Sequence, residues 1–289
     1  MSLLTVRHLT IYHYSEPVTF GEHRMMFRPR ESHDLRLLST KLEILPRPSN
    51  IRWVHDVFDN SVAIATFDQA AAELRFDSTV TLEHIETPLP DYALESEARM
   101  YPFCYSDDER PDLLTALARH YPGDDLSAWT ARFIDPSGAT STLTLLQSMA
   151  RVINEDFVYR RRPEKGVQRP GDTIRYRSGS CRDFAVLMME AARSLGVAAR
   201  FVSGYIFTPD GGAGAPGGGS THGWMQAYLP GAGWVDFDPT NSIVGNRNLI
   251  RVAVAWDQQH ALPLWGTFVG LPSAFRGMDV LVSVAEGGG

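Results

Sequence analysis

The chain has 289 residues, 44% of them hydrophobic and 21% charged, enough to bury one large core or two medium ones, and two domains fit that length better. Its 27 basic and 34 acidic residues leave a formal net charge of −7, which repels a phosphate backbone and argues against nucleic acid as the main partner. No apolar run reaches the roughly 18 residues needed to span a bilayer, no charged-then-apolar secretion signal opens the sequence, and the expected compartment is the cytoplasm.

From Leu3 to about Glu86 the sequence reads as strands. Short alternating runs such as Leu42–Leu45 and Ser78–Ile85 are separated by turn signals at Pro46–Asn50 and Asp59–Asn60. This predicts an all-β, sandwich-like domain over residues 1–95. The Pro88-Leu89-Pro90-Asp91 stretch breaks the pattern, and residues 96–289 read as a second, mixed domain. In it Leu143–Ile153 carries apolar residues at helical spacing, and Phe157-Val158-Tyr159 follows as a short extended piece. A second helix is predicted from Cys181 to Leu195. Its apolar positions Phe184, Leu187, Met188, Ala191 and Leu195 share one face, and Gly196 supplies the stop. Strands are predicted at Ala199–Phe207, His222–Leu229 and Trp234–Phe237, so the fold class is α+β. The Gly-rich stretch Pro209–Ser220 opens no helix and holds no Lys, which disfavours a phosphate cradle and favours a mobile loop, with a lid over the site as the functional variant.

Cys104 and Cys181 are the only cysteines, too few for a disulfide scaffold. Cys104, inside Tyr101-Pro102-Phe103-Cys104-Tyr105, is expected to pack as a small buried apolar group. Cys181 stands differently. Ser180 can cap the helix, and Asp183 three residues on completes a capping box, which places Cys181 in the first turn. There the unpaired backbone N–H groups and the helix dipole favour thiolate, and the same amides can stabilise an oxyanion.

A thiolate nucleophile needs a base, and the base needs an orienting acceptor. The strands at His222 and Trp234 form a hairpin that returns the chain beside His222. A three-residue loop of Pro230, Gly231 and Ala232 sets His222 opposite Thr240, with Asp238 its diagonal neighbour on the same face. A two- or four-residue loop reverses the faces. Asp236 shares that face in a regular hairpin and is the alternative orienter. The other eight histidines stand in ordinary settings, and no metal-ligand spacing is present, so no cofactor is implied.

Gly179-Ser180-Cys181-Arg182-Asp183-Phe184-Ala185, Thr221-His222-Gly223-Trp224 and Trp234-Val235-Asp236-Phe237-Asp238-Pro239-Thr240 resemble the three motifs of bacterial transglutaminase-like cysteine proteins. Ser203-Gly204-Tyr205 fits as well, and Tyr12–Val18 and Met26–Arg30 resemble the β domain that precedes the core in that family. The resemblance implies a papain-like core with Cys181 as nucleophile, His222 as base and Asp238 as orienter. Gly223 stands where the family often has Ala. Tyr159, Tyr176, Trp224 and Asp236 are the further candidates for oxyanion or substrate contacts. The implied activity is that of a peptidase or amidase on a protein or peptide substrate. Acyl transfer to an amine and an idle binding module are the alternatives.

Overall fold

In a computed structural model, residues 1–86, 93–162, 166–208 and 219–287 are described. Of the Gly-rich stretch Pro209–Ser220 expected as a loop or lid, residues 209–218 lie outside the described residues. Among those described, no helix is long and apolar enough to cross a membrane.

The N-terminal part is built on one long strand, β1 (Ser2–Met25). Its first half pairs antiparallel with β5 (Ala71–His84), which in turn carries β2 (Leu35–Leu45). Past an irregularity between His13 and Val18, its second half pairs with β4 (Ser61–Thr66), which holds β3 (Asn50–His55). One strand thus carries both halves of a seven-stranded sheet and, at a mid-strand break in the ladder, bends it into a sandwich-like form. The turns between β2 and β3 and between β3 and β4 fall at the proline- and Asp-Asn-containing segments that mark them in the sequence.

The core follows through β6 (Met100–Tyr101), α1 (Arg110–Leu117), α2 (Ser127–Thr130), β7 (Thr140–Ser141) and α3 (Thr142–Asp156). Then come β8 (Val158–Tyr159), α4 (Pro170–Tyr176), β9 (Ser178–Gly179) and α5 (Cys181–Ser194). A five-stranded antiparallel sheet completes it: β10 (Ala199–Ile206), β11 (His222–Leu229), β12 (Gly233–Asp238), β13 (Ile243–Val244) and β14 (Leu249–Ala255), in the order β13-β12-β11-β10-β14. Leu187, Met188 and Ala191 of α5 pack with Leu145 and Met149 of α3 against Phe201, Met225, Ala227 and Phe237 of the sheet.

Two findings stand out, one beyond the apolar stripe read from the sequence and one against the expectation for Cys104. The face of α5 opposite its apolar stripe is also buried: Glu190 and Arg193, both shielded, form an ion pair at 3.0 Å. Glu190 accepts from the backbone N–H groups of His120 and Tyr121, and Arg193 donates to the carbonyls of Ala116, Ala199 and Trp256. A buried charge pair survives only with such additional hydrogen bonds. Cys104 is exposed rather than packed. Phe103 and Tyr105 turn inward on either side of it, their rings 5.2 Å apart, and in an extended segment the residue between them faces out.

The chain then returns to its start. The strand β15 (Leu264–Val269) pairs with the second half of β1, and β16 (Phe275–Glu286) with its first half. Residues 264–286, which the sequence division groups with the core, thus add two strands to the N-terminal sheet. Sequence periodicity cannot reveal such a pairing across the whole length of the chain.

Leu4 and Val6 of β1, with Val80, Leu82 and Val282, pack against Tyr205, Ile250 and Val252 of the core sheet. The N-terminal sheet therefore lies on the core through the apolar start of β1. The same strand face continues with His8, Thr10 and Tyr12.

Candidate active site

Cys181 opens α5, and the start of that helix is held by Asp183. Its Oδ2 accepts from the Ser180 backbone N–H at 2.7 Å and from the Ser180 hydroxyl at 2.8 Å. Arg162 reaches the same carboxylate at 2.7 and 3.2 Å, and the Gln168 backbone N–H donates to it at 2.7 Å. Asp183 thus closes the capping box and pins the 160s segment beside Cys181. The parallel pairing of β8 with β9 sets Tyr159 alongside Gly179, two residues before Cys181.

His222 opens β11. The strands pair with Met225 opposite Phe237 and Leu229 opposite Gly233, the register of a three-residue loop, and Gly231 in that loop has φ +85°. Asp238 is brought to the histidine: His222 Nε2 donates to Asp238 Oδ2 at 2.8 Å, both side chains fully buried. Asp238 is fixed in turn by the Thr240 backbone N–H at 2.9 Å and by Asn241 Nδ2 at 2.7 Å. Asp236 is not beside His222. It accepts from Trp224 Nε1 at 2.6 Å and pairs with Arg251 at 3.2 Å. Trp224, the alternate neighbour on β11, stacks on the His222 ring with centroids 5.8 Å apart.

Cys181 and His222 are electrostatically coupled. Burial pushes the Cys181 thiol up, but the His222 ring, the Arg182 charge and the Gly223 backbone N–H outweigh it and hold the thiol below its ordinary range. Burial lowers His222, but the Asp238 carboxylate and the Cys181 sulfur raise it above the usual histidine range. Nε2 is committed to Asp238, and Nδ1 is buried with no hydrogen-bond partner. It is the ring nitrogen left to exchange a proton with the thiol.

Cys181 lines a cleft of about 520 Å³ with Tyr159, Arg161, Arg162, Arg182 and Thr221 on the core side. The opposite wall is His8, Thr10 and Tyr12 of β1 with Met278 and Val280 of β16. Tyr12 stands opposite Met278 in the ladder and Thr10 opposite Val280, so the wall is two antiparallel strands from the two ends of the chain. Of the remaining sequence candidates, Tyr159 reaches this cleft. Tyr176 is 57% exposed and carries Arg175 over its ring at 5.6 Å, outside the described lining.

Residues 4–83 match the bacterial transglutaminase-like N-terminal region, and residues 130–239 match the transglutaminase-like superfamily core. The chain belongs to the transglutaminase-like superfamily. This transglutaminase-like chain is 24% identical over 285 residues to an uncharacterised protein of Mycobacterium leprae, covering 98% of each. It is 28% identical over 276 residues to an uncharacterised protein of Mycobacterium tuberculosis, covering 90% of this chain and 86% of the other. Among solved structures it shares its fold with a "Putative Cysteine Protease from Cytophaga hutchinsonii", at a TM-score of 0.72 and 18% identity, covering 99% of this chain and 92% of that one.

Several residues of the transglutaminase-like site carry no sequence signal. His8 is buried between Tyr205, whose hydroxyl lies 3.0 Å from Nδ1, and Thr10, whose hydroxyl lies 3.1 Å from Nε2. Burial lowers it to about 4, so it stands neutral at physiological pH. Asn241 and Arg162 act through Asp238 and Asp183, and only the folded hairpin and helix start bring them there.

Proposed function

We propose that the chain is a cysteine hydrolase of amide bonds in peptides or proteins, working through a thioester on Cys181. The observation that carries this reading is the buried His222–Asp238 pair coupled to a thiol at a helix N-terminus. In acylation the Cys181 thiolate attacks the carbonyl carbon, and first-turn N–H groups of α5 are positioned to stabilise the oxyanion. The tetrahedral intermediate collapses, the C–N bond breaks, and the amine leaves with the proton held on His222 Nδ1. In deacylation His222 takes a proton from water, the hydroxide adds to the thioester, and the carboxylic acid departs with regeneration of the thiol. Asp238 holds the ring and stabilises the imidazolium without taking its proton. Nδ1 in an idle scaffold would be a buried nitrogen with no partner and no use, which disfavours a binding module.

The test is alkylation of Cys181 by iodoacetamide as a function of pH, in the wild type and in His222→Ala, read by mass spectrometry against the exposed Cys104. The expected result is fast labelling below neutral pH that the substitution abolishes. An ordinary thiol profile in both proteins would sink the reading and favour the binding module. With labelling established, release of acid from peptide substrates against incorporation of a fluorescent amine distinguishes hydrolysis from acyl transfer.

A further inference from the structure

The cleft has a charge that the rest of the molecule lacks. The chain as a whole carries a net charge of −7. Among the described residues lining the cleft there is no Asp or Glu, while Arg161, Arg162 and Arg182 are all present. Arg162 is matched by Asp183 at 2.7 Å. Arg182 is different: half-buried and next to the nucleophile, it makes no hydrogen bond or ion pair with any described residue. Its stem is held close to the histidine motif, since a Cβ built on Gly223 would sit 3.3 Å from Arg182 Cγ. A guanidinium partly withdrawn from water, with no carboxylate partner among the described residues and only the neighbouring Cys181 sulfur to interact with electrostatically, is suited to recognise a carboxylate, which its planar donor fork fits in bidentate fashion.

We propose that the cleft selects acyl donors carrying a carboxylate close to the scissile carbonyl, that is, acidic peptides, with Arg182 as the specificity-determining counter-ion. The opposite wall completes the discrimination. His8 is held neutral and its two nitrogens are taken by Tyr205 and Thr10, and Met278 and Val280 are apolar. That wall offers no second formal charge, so the acidic group is drawn to the Arg182 side. The inference deepens the hydrolase reading and rests on it for its substrate, but the charge preference is measurable whether or not the enzyme turns over.

The experiment compares two alkylating agents of the same reactive group and different charge, iodoacetate and iodoacetamide, on Cys181 and on Cys104 of the same protein. The ratio of the two rates removes the effect of thiol ionisation, which both reagents share. In the wild type the iodoacetate-to-iodoacetamide ratio at Cys181 is expected to exceed that at Cys104 by about tenfold, the scale of one nearby charge in a partly screened site. Arg182→Gln should remove most of that excess and Arg182→Lys should restore part of it. A triglutamate peptide should slow iodoacetamide labelling of Cys181 in the wild type but not in Arg182→Gln, and a triglutamine peptide should do neither. An undiminished ratio in Arg182→Gln overturns the proposal, because the His222 imidazolium would then account for the anion preference alone. Equal protection by both peptides overturns it as well. Sluggish reaction of Cys181 with both reagents, no faster than Cys104, instead counts against the hydrolase reading, and the rate ratio still reports the charge at the cleft.

Discussion

At the scale of single residues, one carboxylate separates the two acids of β12. Asp238 meets His222, while Asp236 is occupied by Trp224 and Arg251, although the two share a strand face. Asp238→Asn keeps the shape and removes the charge. The imidazolium then loses the carboxylate that raises it, and with that the thiolate loses part of the cation that holds it low. Peptide hydrolysis is expected to fall by about 10²–10⁴-fold, and the alkylation profile of Cys181 should move to higher pH. An alkylation profile that stays in place would show that Asp238 does not set the charge state of the pair. Asp236→Asn should leave that profile unmoved, since its carboxylate touches the ring of Trp224 rather than that of His222. This pairing was legible before the fold because a three-residue loop fixes which residues oppose each other, and Asp238 lies nearer the histidine end. Arg182 was not legible as a recognition group. An arginine in a first helical turn reads as solvated until the cleft over it is seen.

At the scale of elements, two close approaches hold the site. Gly204 sits where β10 shifts register against β14, and a Cβ there would lie 2.1 Å from the Ile250 carbonyl oxygen and 2.8 Å from the Trp224 ring. At Gly223 a Cβ would lie 2.8 Å from the tip of the Phe201 ring. A ring tip can yield at a cost, whereas a backbone carbonyl in a ladder cannot move without breaking the pairing. Gly223→Ala is therefore expected to cost about 1–3 kcal/mol, and Gly204→Ala to cost more, with both read by urea denaturation. The reverse order would mean that the β10–β14 bulge adjusts freely. The Ala that the family often has at the position of Gly223 is therefore not neutral in this chain, where Phe201 fills the space. The helix pattern of α5 gave its apolar stripe correctly in register but not its depth. Glu190 and Arg193 lie off that stripe, and they are buried by backbone groups of α1 and the segment after it, some seventy positions away, together with the carbonyls of Ala199 and Trp256.

At the scale of the whole molecule, the cleft is assembled from three parts of the chain: β1, the core around Cys181, and β16. The first and last strands are neighbours only in the folded sheet, so neither the wall opposite Cys181 nor the residues that lock that sheet to the core could be read from local pattern. The lock is Arg251 of β14. It pairs with Asp34, just before β2, at 2.6 Å and with Asp236 of the core at 3.2 Å, and all three side chains are largely buried. Burial pushes Asp34 up, but the Arg251 charge and its hydrogen bonds, with Ser32 and Asn246, hold it far below the usual carboxylate range. A folded-state pKa below the unfolded one stabilises the protein above the unfolded value and is lost as the pH falls through the folded value. Arg251→Leu leaves two buried carboxylates without their cation and should cost about 3–5 kcal/mol at neutral pH. Without Arg251, burial is the largest influence left on Asp34 and raises it against the hydrogen bonds of Ser32 and Asn246, so the variant gains back stability on protonation while the wild type stays ionised. The gap between them in urea midpoint should accordingly narrow as the pH falls from neutral towards about 4. A gap that stays constant would place the stabilisation in the packing of the Arg251 stem rather than in its charge.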